Sequence, residues 1–294
     1  MNLDTWLREW LVLRSAELAP RTVDQYRDLI DRYVSPLIGG ASLDDVTPQL
    51  FRSMLATVAG TGKTRTAELV YAMLSAAMKE LDVNPMLHVK RPSHRQQRVE
   101  PWTDAEIARY LSALHGHRHG LALSLGLLCG LRRGEICGLR WRDVDLNAEE
   151  LHIVNQRQRL ASGEIIDTRP KSASSVRVIP IPKPLVPILR AARGLPSAYV
   201  DSITPSGLDT AHRQLVRRLG LPPICLHGLR HCYATLCLRH GCDMRCLQSL
   251  LGHSSYSVTA NIYTHPDREM LRRVIDAVID SCYTVLRSNT ASGT

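Results

Sequence analysis

The sequence predicts a mainly α-helical protein with a small antiparallel β-sheet, an α+β fold divided into two domains. Apolar residues recur at helical spacing over most of the chain, whereas three short apolar runs between residues 151 and 180 are typical of strands. With 294 residues, the chain is long enough for two domains of about 150 residues each. Its 44% hydrophobic and 22% charged residues are typical of a globular protein, and a single Phe leaves the core mainly to aliphatic side chains.

Four amphipathic helices are expected in the first part of the chain. The first has Trp6 and Trp10 on one face, and Pro20 begins the segment that follows it. The other three have apolar stripes over residues 23–33, 51–58 and 65–81. We therefore predict an all-helical first domain over residues 1–91.

A polar, basic segment over residues 92–100 has no apolar periodicity and is predicted to be a linker. Thr103, followed three residues later by Glu106, has the spacing of a capping box and starts a second domain over residues 101–294. Helical patterns surround Gly130, and further helices are expected from about residue 184. The three predicted strands lie between these helices, at residues 151–154, 164–167 and 176–180.

The excess of basic charge lies in the second part of the chain. Residues 1–93 contain eleven basic and eleven acidic side chains, whereas residues 94–294 contain 26 basic and 17 acidic ones, which accounts for the net charge of +9. Most of these basic residues are arginines, which suit bidentate contacts with phosphate. A polyanion is the expected partner, although charge alone does not separate DNA, RNA, an anionic membrane surface and a merely solvated basic face.

The apolar stretches and the cysteines argue against several other classes. The longest apolar stretch, Leu121–Leu131, is shorter than the ~20 residues that cross a bilayer. Charged residues interrupt the N-terminal segment, so we expect a cytoplasmic protein with no membrane partner. The eight cysteines include no CxxC pair, and we expect reduced thiols packed as small hydrophobes. No stoichiometric zinc is expected, even at the cluster formed by Cys232, Cys237, Cys242 and Cys246.

Four polar residues occupy positions that suit anion binding or proton transfer. Arg132 follows an apolar helix and Gly130, so it opens the next helix near free amide groups. Lys171 lies in a turn before the third predicted strand. His227 and Arg230 are three residues apart and share one helical face. Each of them also has an ordinary structural interpretation, such as a helix-end ion pair for Arg132.

Five ordered motifs in the second domain resemble those of the tyrosine recombinase family, also called the phage integrase family. They read GLRRGE, PKSASSVRVIP, HGLRHCYATL, LLGHSS and TANIYTH. The first domain, with APRTVDQYRDLI and LDDVTPQLF, is similar to the helical core-binding domain of that family. The resemblance implies a two-domain, C-shaped DNA clamp. It also implies an active site of six residues: Arg132, Lys171, His227, Arg230, His253 and Tyr263.

The resemblance implies DNA transesterification with a tyrosine nucleophile. Tyr263 attacks the scissile phosphorus and forms a 3′-phosphotyrosine, which preserves the bond energy for rejoining. Arg132 and Arg230 stabilise the charge that develops on the non-bridging oxygens.

The other implied roles concern proton transfer and orientation. Lys171 is the expected general acid for the departing 5′-oxygen, while His227 assists proton movement at the tyrosine and His253 hydrogen-bonds the phosphate. Glu135, one turn after Arg132, is expected to orient the arginine motif. No metal or other cofactor is expected.

The expected partner is double-stranded DNA, bound by a homotetramer on two DNA sites with two protomers per duplex. The function expected is integration or excision of a mobile element or prophage, with the protein on the nucleoid when it is bound to DNA. Xer-like resolution of chromosome or plasmid dimers, a type IB topoisomerase and a non-catalytic DNA-binding regulator are alternatives. Because Trp6 already belongs to the core-binding domain, no additional arm-binding domain is expected. The helix after Pro266 is expected either to dock on a neighbouring protomer or to close its own domain.

Overall fold

The structure is a computed structural model, and its chain forms two compact units. The first unit comprises residues 1–98 together with residues 160–164, and the second comprises residues 99–159 together with residues 165–294. No helix among the described residues is long and apolar enough to cross a membrane. The structure describes residues 1–94, 100–170, 175–252, 271–273 and 275–277.

The first unit is helical, and the four helical segments predicted for it are confirmed. Asn2 caps the first helix, Pro20 begins the second, and Thr47 caps the fourth by accepting a hydrogen bond from the N–H of Leu50. A π-helical turn at Ile30–Val34 continues the second helix, so that the second predicted stripe spans two elements. The helices are α1 Leu3–Arg14, α2 Pro20–Leu29, α3 Ser35–Ile38, α4 Pro48–Gly60 and α5 Thr64–Ala77.

The apolar faces of these helices form the core of the first unit. Leu7, Phe51 and Met73, from three different helices, are completely buried there. The rings of Trp10 and Tyr26 stack at its edge, with their centroids 5.9 Å apart. The first unit therefore has a hydrophobic core of its own.

The second unit is also mainly helical. The predicted capping box is confirmed, because the N–H of Thr103 donates to the Glu106 carboxylate at 2.7 Å and the N–H of Glu106 donates to the Thr103 hydroxyl at 3.4 Å. Its second helix is apolar on nearly all sides and lies within the core, as expected for a helix without a polar face. The helices are α6 Asp104–Leu114, α7 Gly120–Leu128, α8 Arg133–Gly138, α9 Leu185–Ala191, α10 Pro205–Arg218, α11 Leu226–Arg239 and α12 Met244–Leu251.

Two small antiparallel sheets accompany these helices. The strands are β1 Val144–Asp145, β2 Glu150–Ile153, β3 Gln156–Arg159, β4 Ile165–Thr168 and β5 Arg177–Pro180. One sheet has the order β1-β2-β5, with Leu151 opposite Ile179, and the other is the hairpin β3-β4, with Arg157 opposite Asp167. The sequence prediction of three strands missed β1 and β3. β1 has only two residues, and β3 reads QRQR, which offers no apolar alternation.

Two glycines allow α8 to lie directly on β3. A Cβ atom on Gly138 would lie 2.8 Å from the Cα atom of Gln156, and one on Gly134 would lie 3.0 Å from the carbonyl oxygen of Arg157. These distances leave no room for a side chain between the helix and the strand backbone. The hairpin is thereby packed against the helix that Arg132 begins.

The described C-terminal segment, residues 271–273 and 275–277, is helical and packs on the second unit. Ile275 is buried in its core, Arg272 forms an ion pair with Glu149, and Lys183 Nζ lies 2.9 Å from a carboxylate oxygen of Asp276. In this chain the segment therefore contacts its own unit, which is one of the two arrangements expected for the helix after Pro266.

Most cysteines in the described part of the chain pack as small apolar side chains, as predicted. Cys225 is exposed, and Cys282 lies outside the described residues. The buried free cysteines are Cys129, Cys137, Cys232, Cys237, Cys242 and Cys246.

Candidate active site

The two arginines predicted to bind phosphate lie together at the C-terminal end of α12. Arg132 is the N-cap residue of α8, and its Nη2 donates to the carbonyl oxygen of Gly252 at 2.8 Å. Arg230, on α11, donates from Nη2 to the carbonyl oxygen of Leu251. Two helices distant in sequence thus direct their guanidinium groups to neighbouring peptide units.

A tight turn between α7 and α8 brings these elements together. Gly130 has φ of 63°, a left-handed conformation that favours glycine. A Cβ atom there would lie 2.5 Å from the ring of Tyr233, so the turn also needs glycine for space. The carbonyl oxygen of Gly130 accepts a hydrogen bond of 2.7 Å from Nη1 of Arg230. Arg230 therefore holds the turn that places Arg132.

Glu135 orients Arg132 through two contacts. One carboxylate oxygen accepts from the backbone N–H of Arg132 and the other from its Nη1, each at 2.8 Å. This is the geometry that the sequence-based interpretation of Glu135 requires. Glu135 is only 2% exposed, so its carboxylate is surrounded by protein rather than water.

A third arginine, which the sequence analysis did not select, completes the cluster. Arg177 on β5 donates from Nη1 and Nη2 to the two carboxylate oxygens of Glu135, each at 2.9 Å. Its Nε donates to the carbonyl oxygen of Leu250 at 2.8 Å. Three arginines thus bind three successive carbonyl groups at the end of α12, where the carbonyls lack helical partners and carry partial negative charge.

The alternation of residues around Arg177 predicts that its side chain is exposed. Val176 and Val178 alternate with it, so a half-buried strand is expected to bury the valines and expose the arginine. The structure has the opposite orientation, with Arg177 and Ile179 inside and both valines exposed. The available signal was Ile181, which continues the inward-facing series two residues beyond Ile179.

The cluster is electropositive. Its three guanidinium groups and single carboxylate leave an excess of two positive charges. Burial, together with the nearby charges of Arg132 and Arg177, lowers the pKa of Arg230 to about 9. For Glu135, burial acts to raise the pKa, but the hydrogen bonds and charge of Arg177 together with the hydrogen bonds of Arg132 outweigh it, and the pKa lies below its usual value. The carboxylate is therefore ionised, and an anion would find a net positive site.

The other predicted site residues are distributed differently. His227 lies on α11 one turn before Arg230, and its ring meets that of His231 edge-on with centroids 4.9 Å apart. Lys171, His253 and Tyr263 lie outside the described residues. The structure accordingly brings Arg132 and Arg230 together and places His227 on the same helix as Arg230.

The fold and the cluster define a helical domain with a small antiparallel sheet and an electropositive arginine cluster. The model of the Phage integrase family matches residues 100–270, and that of the Phage integrase central domain matches residues 3–80. The chain belongs to the phage integrase family, which confirms the resemblance inferred from its motifs.

Individual relatives carry two kinds of name. The chain is 32% identical over 197 residues to a protein named tyrosine recombinase XerC-like, from Caldanaerobacter subterraneus, and the match covers 57% of this chain and 50% of that protein. It is 28% identical over 265 residues to a putative prophage phiRv2 integrase of Mycobacterium tuberculosis, covering 84% of this chain and 70% of that one. The match thus spans half the length of the first relative.

Solved structures confirm the predicted fold class. The Tn1549 transposon integrase, solved in complex with transposon right end DNA, superposes with a TM-score of 0.76 at 20% identity, covering 93% of this chain and 98% of that chain. A lambda integrase dimer bound to a core site superposes with a TM-score of 0.66 at 21% identity, covering 87% of this chain and 96% of that chain. At these sequence identities, both comparisons show that the folds are similar.

Proposed function

We propose that the protein is a site-specific DNA recombinase that cleaves and rejoins DNA through a 3′-phosphotyrosine on Tyr263. The observation that carries this proposal is the convergence of Arg132 and Arg230 on one helix end in a chain of the phage integrase family. Two buried or half-buried guanidiniums with net positive surroundings suit a phosphodiester whose charge increases in the transition state.

The reaction is a pair of transesterifications. The phenol of Tyr263 gives its proton to His227 as its oxygen forms a bond to the scissile phosphorus. The bond to the 5′-oxygen breaks, and that oxygen takes a proton from Lys171. Rejoining reverses these steps with the 5′-hydroxyl of another strand. Arg132 and Arg230 stabilise the non-bridging oxygens in both directions, with His253 as a further donor and His227 assisting at the phenol. Neither step needs a metal ion.

The two domains have different functions in DNA binding and in catalysis. Residues 1–91 act as the core-binding domain, residues 92–100 as a basic linker and residues 101–294 as the catalytic domain on double-stranded DNA. The net charge of +9 carried by residues 94–294 supports phosphate contacts there. A homotetramer on two DNA sites, with two protomers per duplex, performs strand exchange; a lambda integrase structure of the same fold is a tetramer bound to a Holliday junction. The working protein is cytoplasmic and lies on the nucleoid.

Integration or excision of a mobile element is the activity we favour. Relatives named prophage phiRv2 integrase and ICEBs1 integrase support it. Xer-like dimer resolution is the second candidate, supported by the relative named tyrosine recombinase XerC-like. Sequencing the junctions formed in cells from a marked donor and its attachment site distinguishes them, because integration joins two different sites whereas dimer resolution acts on two copies of one site.

The chemistry is tested with a nicked duplex that carries the attachment site. Loss of the short 5′-hydroxyl fragment traps the covalent intermediate, so the wild-type protein should form an adduct on the 3′-phosphate without added metal. Tyr263→Phe removes one hydroxyl and should bind DNA but form no adduct. An adduct that persists in Tyr263→Phe would assign the nucleophile elsewhere, with Tyr256 the next candidate. No adduct from the wild type on its verified site would favour the DNA-binding regulator. In a separate assay, relaxation of a supercoiled plasmid without strand exchange would favour the topoisomerase.

A further inference from the structure

Arg177 is a buried cation whose position the proposed reaction does not by itself explain. The residue is 9% exposed, although β5 could expose it by burying Val176 and Val178 instead. Removing a guanidinium from water is unfavourable unless good hydrogen bonds replace the water. Burying Arg177 therefore costs free energy that its hydrogen bonds must offset. The partners of those hydrogen bonds indicate which groups the side chain positions.

Those contacts reach three segments that adjoin predicted catalytic residues. Nη1 donates to the carbonyl oxygen of Ser175 at 3.2 Å, immediately after the four residues that begin with Lys171. Nε donates to the carbonyl oxygen of Leu250, three residues before His253. The bidentate pair with Glu135 reaches the side chain that holds Arg132.

Glu135 is shared between two arginines, and this sharing has an electrostatic consequence. Its Oε1 accepts from both Arg132 and Arg177, and its Oε2 accepts from the Arg132 backbone and from Arg177. Arg177 thus supplies the principal counter-charge to the buried carboxylate. Without Arg177, the carboxylate would have Arg132 as its only guanidinium partner in the cluster, and the Arg132 charge would be neutralised by Glu135 rather than offered to a ligand.

We infer that Arg177 is a positioning residue for the recombinase reaction: it balances the charge of Glu135 so that this carboxylate orients Arg132 without neutralising it. The inference rests on the proposed function, since it assigns Arg132 to the scissile phosphate. Arg177 does not touch the DNA in this scheme, and it acts through Glu135 and through the carbonyl of Leu250.

The first test is a double-mutant cycle between Arg177 and Glu135, measured as the rate of covalent adduct formation on the nicked duplex. Arg177→Met should slow the reaction about 100-fold, comparable to loss of one transition-state donor, with little change in DNA affinity. Glu135→Gln combined with Arg177→Met removes the unbalanced carboxylate. The double variant should therefore react at least about tenfold faster than Arg177→Met alone. The double variant also replaces a buried ion pair by neutral groups, so it remains informative if Arg177→Met alone folds poorly.

The second test separates positioning from packing. A nicked duplex with a methylphosphonate at the scissile position has no charge there, so guanidinium neutralisation contributes less to its reaction. The rate defect of Arg177→Met should shrink on this substrate relative to the ordinary phosphodiester. Arg190→Met is the matched control, because Arg190 also donates to a carbonyl oxygen, that of Leu146, in the same unit but has no contact with Glu135. It should react at the wild-type rate on both substrates.

A wild-type rate for Arg177→Met would overturn the inference. So would an equal defect on both substrates together with no recovery in the double variant, because that pattern indicates general damage to the fold. If the wild-type protein itself forms no adduct, the proposed function fails, and that result is distinct from any outcome confined to the Arg177 variants.

Discussion

The hydroxyl of Tyr110 and Nδ1 of His212 lie 2.8 Å apart in the core of the second unit. On the other side of the ring, Nε2 lies 3.0 Å from the carbonyl oxygen of Ile224, which can only accept. Nε2 therefore carries the proton and Nδ1 accepts from the tyrosine. This arrangement satisfies a neutral imidazole, whereas a second proton on Nδ1 would deprive the Tyr110 hydroxyl hydrogen of its acceptor.

This pair predicts acid sensitivity of the fold. Burial lowers the pKa of His212 below its ordinary value of 6.5, so the unfolded chain binds a proton at a pH where the folded chain does not. The free energy of unfolding should be independent of His212 above about pH 7 and should fall as the pH drops below about 6.5. Urea titrations at several pH values should show a shallower fall for His212→Gln, whereas His115→Gln, at an exposed position, should keep the wild-type slope. Identical slopes in all three proteins would contradict this assignment.

Close packing of α8 on β3 predicts a large effect of a single methyl group. Gly138→Ala should lower the free energy of unfolding by about 1–3 kcal/mol, since the new Cβ meets strand backbone that cannot rotate away. Gly60→Ala is the matched control, because a Cβ there meets no atom within 4 Å and Gly60 is also the last residue of a helix. Chemical denaturation of both variants measures the difference, and equal midpoints would show that α8 and β3 separate easily.

Arg230 should be more sensitive to conservative change than a surface arginine. Arg230→Lys keeps a positive charge but cannot reach both Gly130 and Leu251 with one planar fork. We expect adduct formation to slow by about 100- to 1,000-fold while DNA binding persists. Arg239→Lys, at an exposed residue paired with Asp104, should leave the rate unchanged. Adduct formation at the wild-type rate in Arg230→Lys would remove Arg230 from the proposed site.

The N-terminal cap of α12 should contribute to the stability of the helix end that the arginines bind. The Asp243 carboxylate accepts from the N–H groups of Arg245 at 2.7 Å and Cys246 at 3.0 Å. Asp243→Ala should therefore cost about 1 kcal/mol, whereas Asp243→Asn retains an acceptor and should cost little. The backbone hydrogen bond from Cys246 lowers the pKa of Asp243, so its ionic contribution is lost only as the pH falls through that lowered value. Thermal unfolding of both variants at neutral pH provides the comparison, and equal losses would mean that the acceptor is unimportant.

DNA affinity should depend strongly on salt. The excess of nine positive charges over residues 94–294 predicts that phosphate contacts dominate nonspecific binding. Affinity for a random duplex should fall by about tenfold or more between 50 and 200 mM salt. Fluorescence anisotropy at several salt concentrations gives the slope, and a nearly flat dependence would contradict binding through phosphates.

Local signals in the sequence predicted much of the fold. The capping box of Thr103 and Glu106 depends on residues three positions apart, and the structure forms it as predicted. The role of Glu135 could also be predicted, because Arg132 and Glu135 are three residues apart, as Thr103 and Glu106 are. In both cases the interacting atoms belong to one helical turn, so sequence spacing determines which groups meet.

Two features could not be predicted because they depend on distant partners. β3 has no apolar side chain to mark it, and its pairing with β4 and its packing on Gly134 and Gly138 define it. Arg177 faces inward because Glu135, 42 residues earlier, and Leu250, 73 residues later, supply its acceptors. The alternation of Val176, Arg177 and Val178 favours the opposite orientation, and Ile181, one residue beyond β5, was the local signal of the observed one.

The three arginines bind main-chain oxygens of residues 250–252, and this choice of acceptor affects how the sequence can diverge. Every amino acid supplies the same carbonyl group, so substitutions of Leu250 or Leu251 alter apolar packing while leaving the acceptors of Arg177 and Arg230 in place. Pairwise covariation between aligned positions detects partners whose side chains must change together. It does not detect these contacts between an arginine side chain and a main-chain oxygen. A family can therefore exchange the residues at the end of this helix while each arginine continues to specify the path of the backbone.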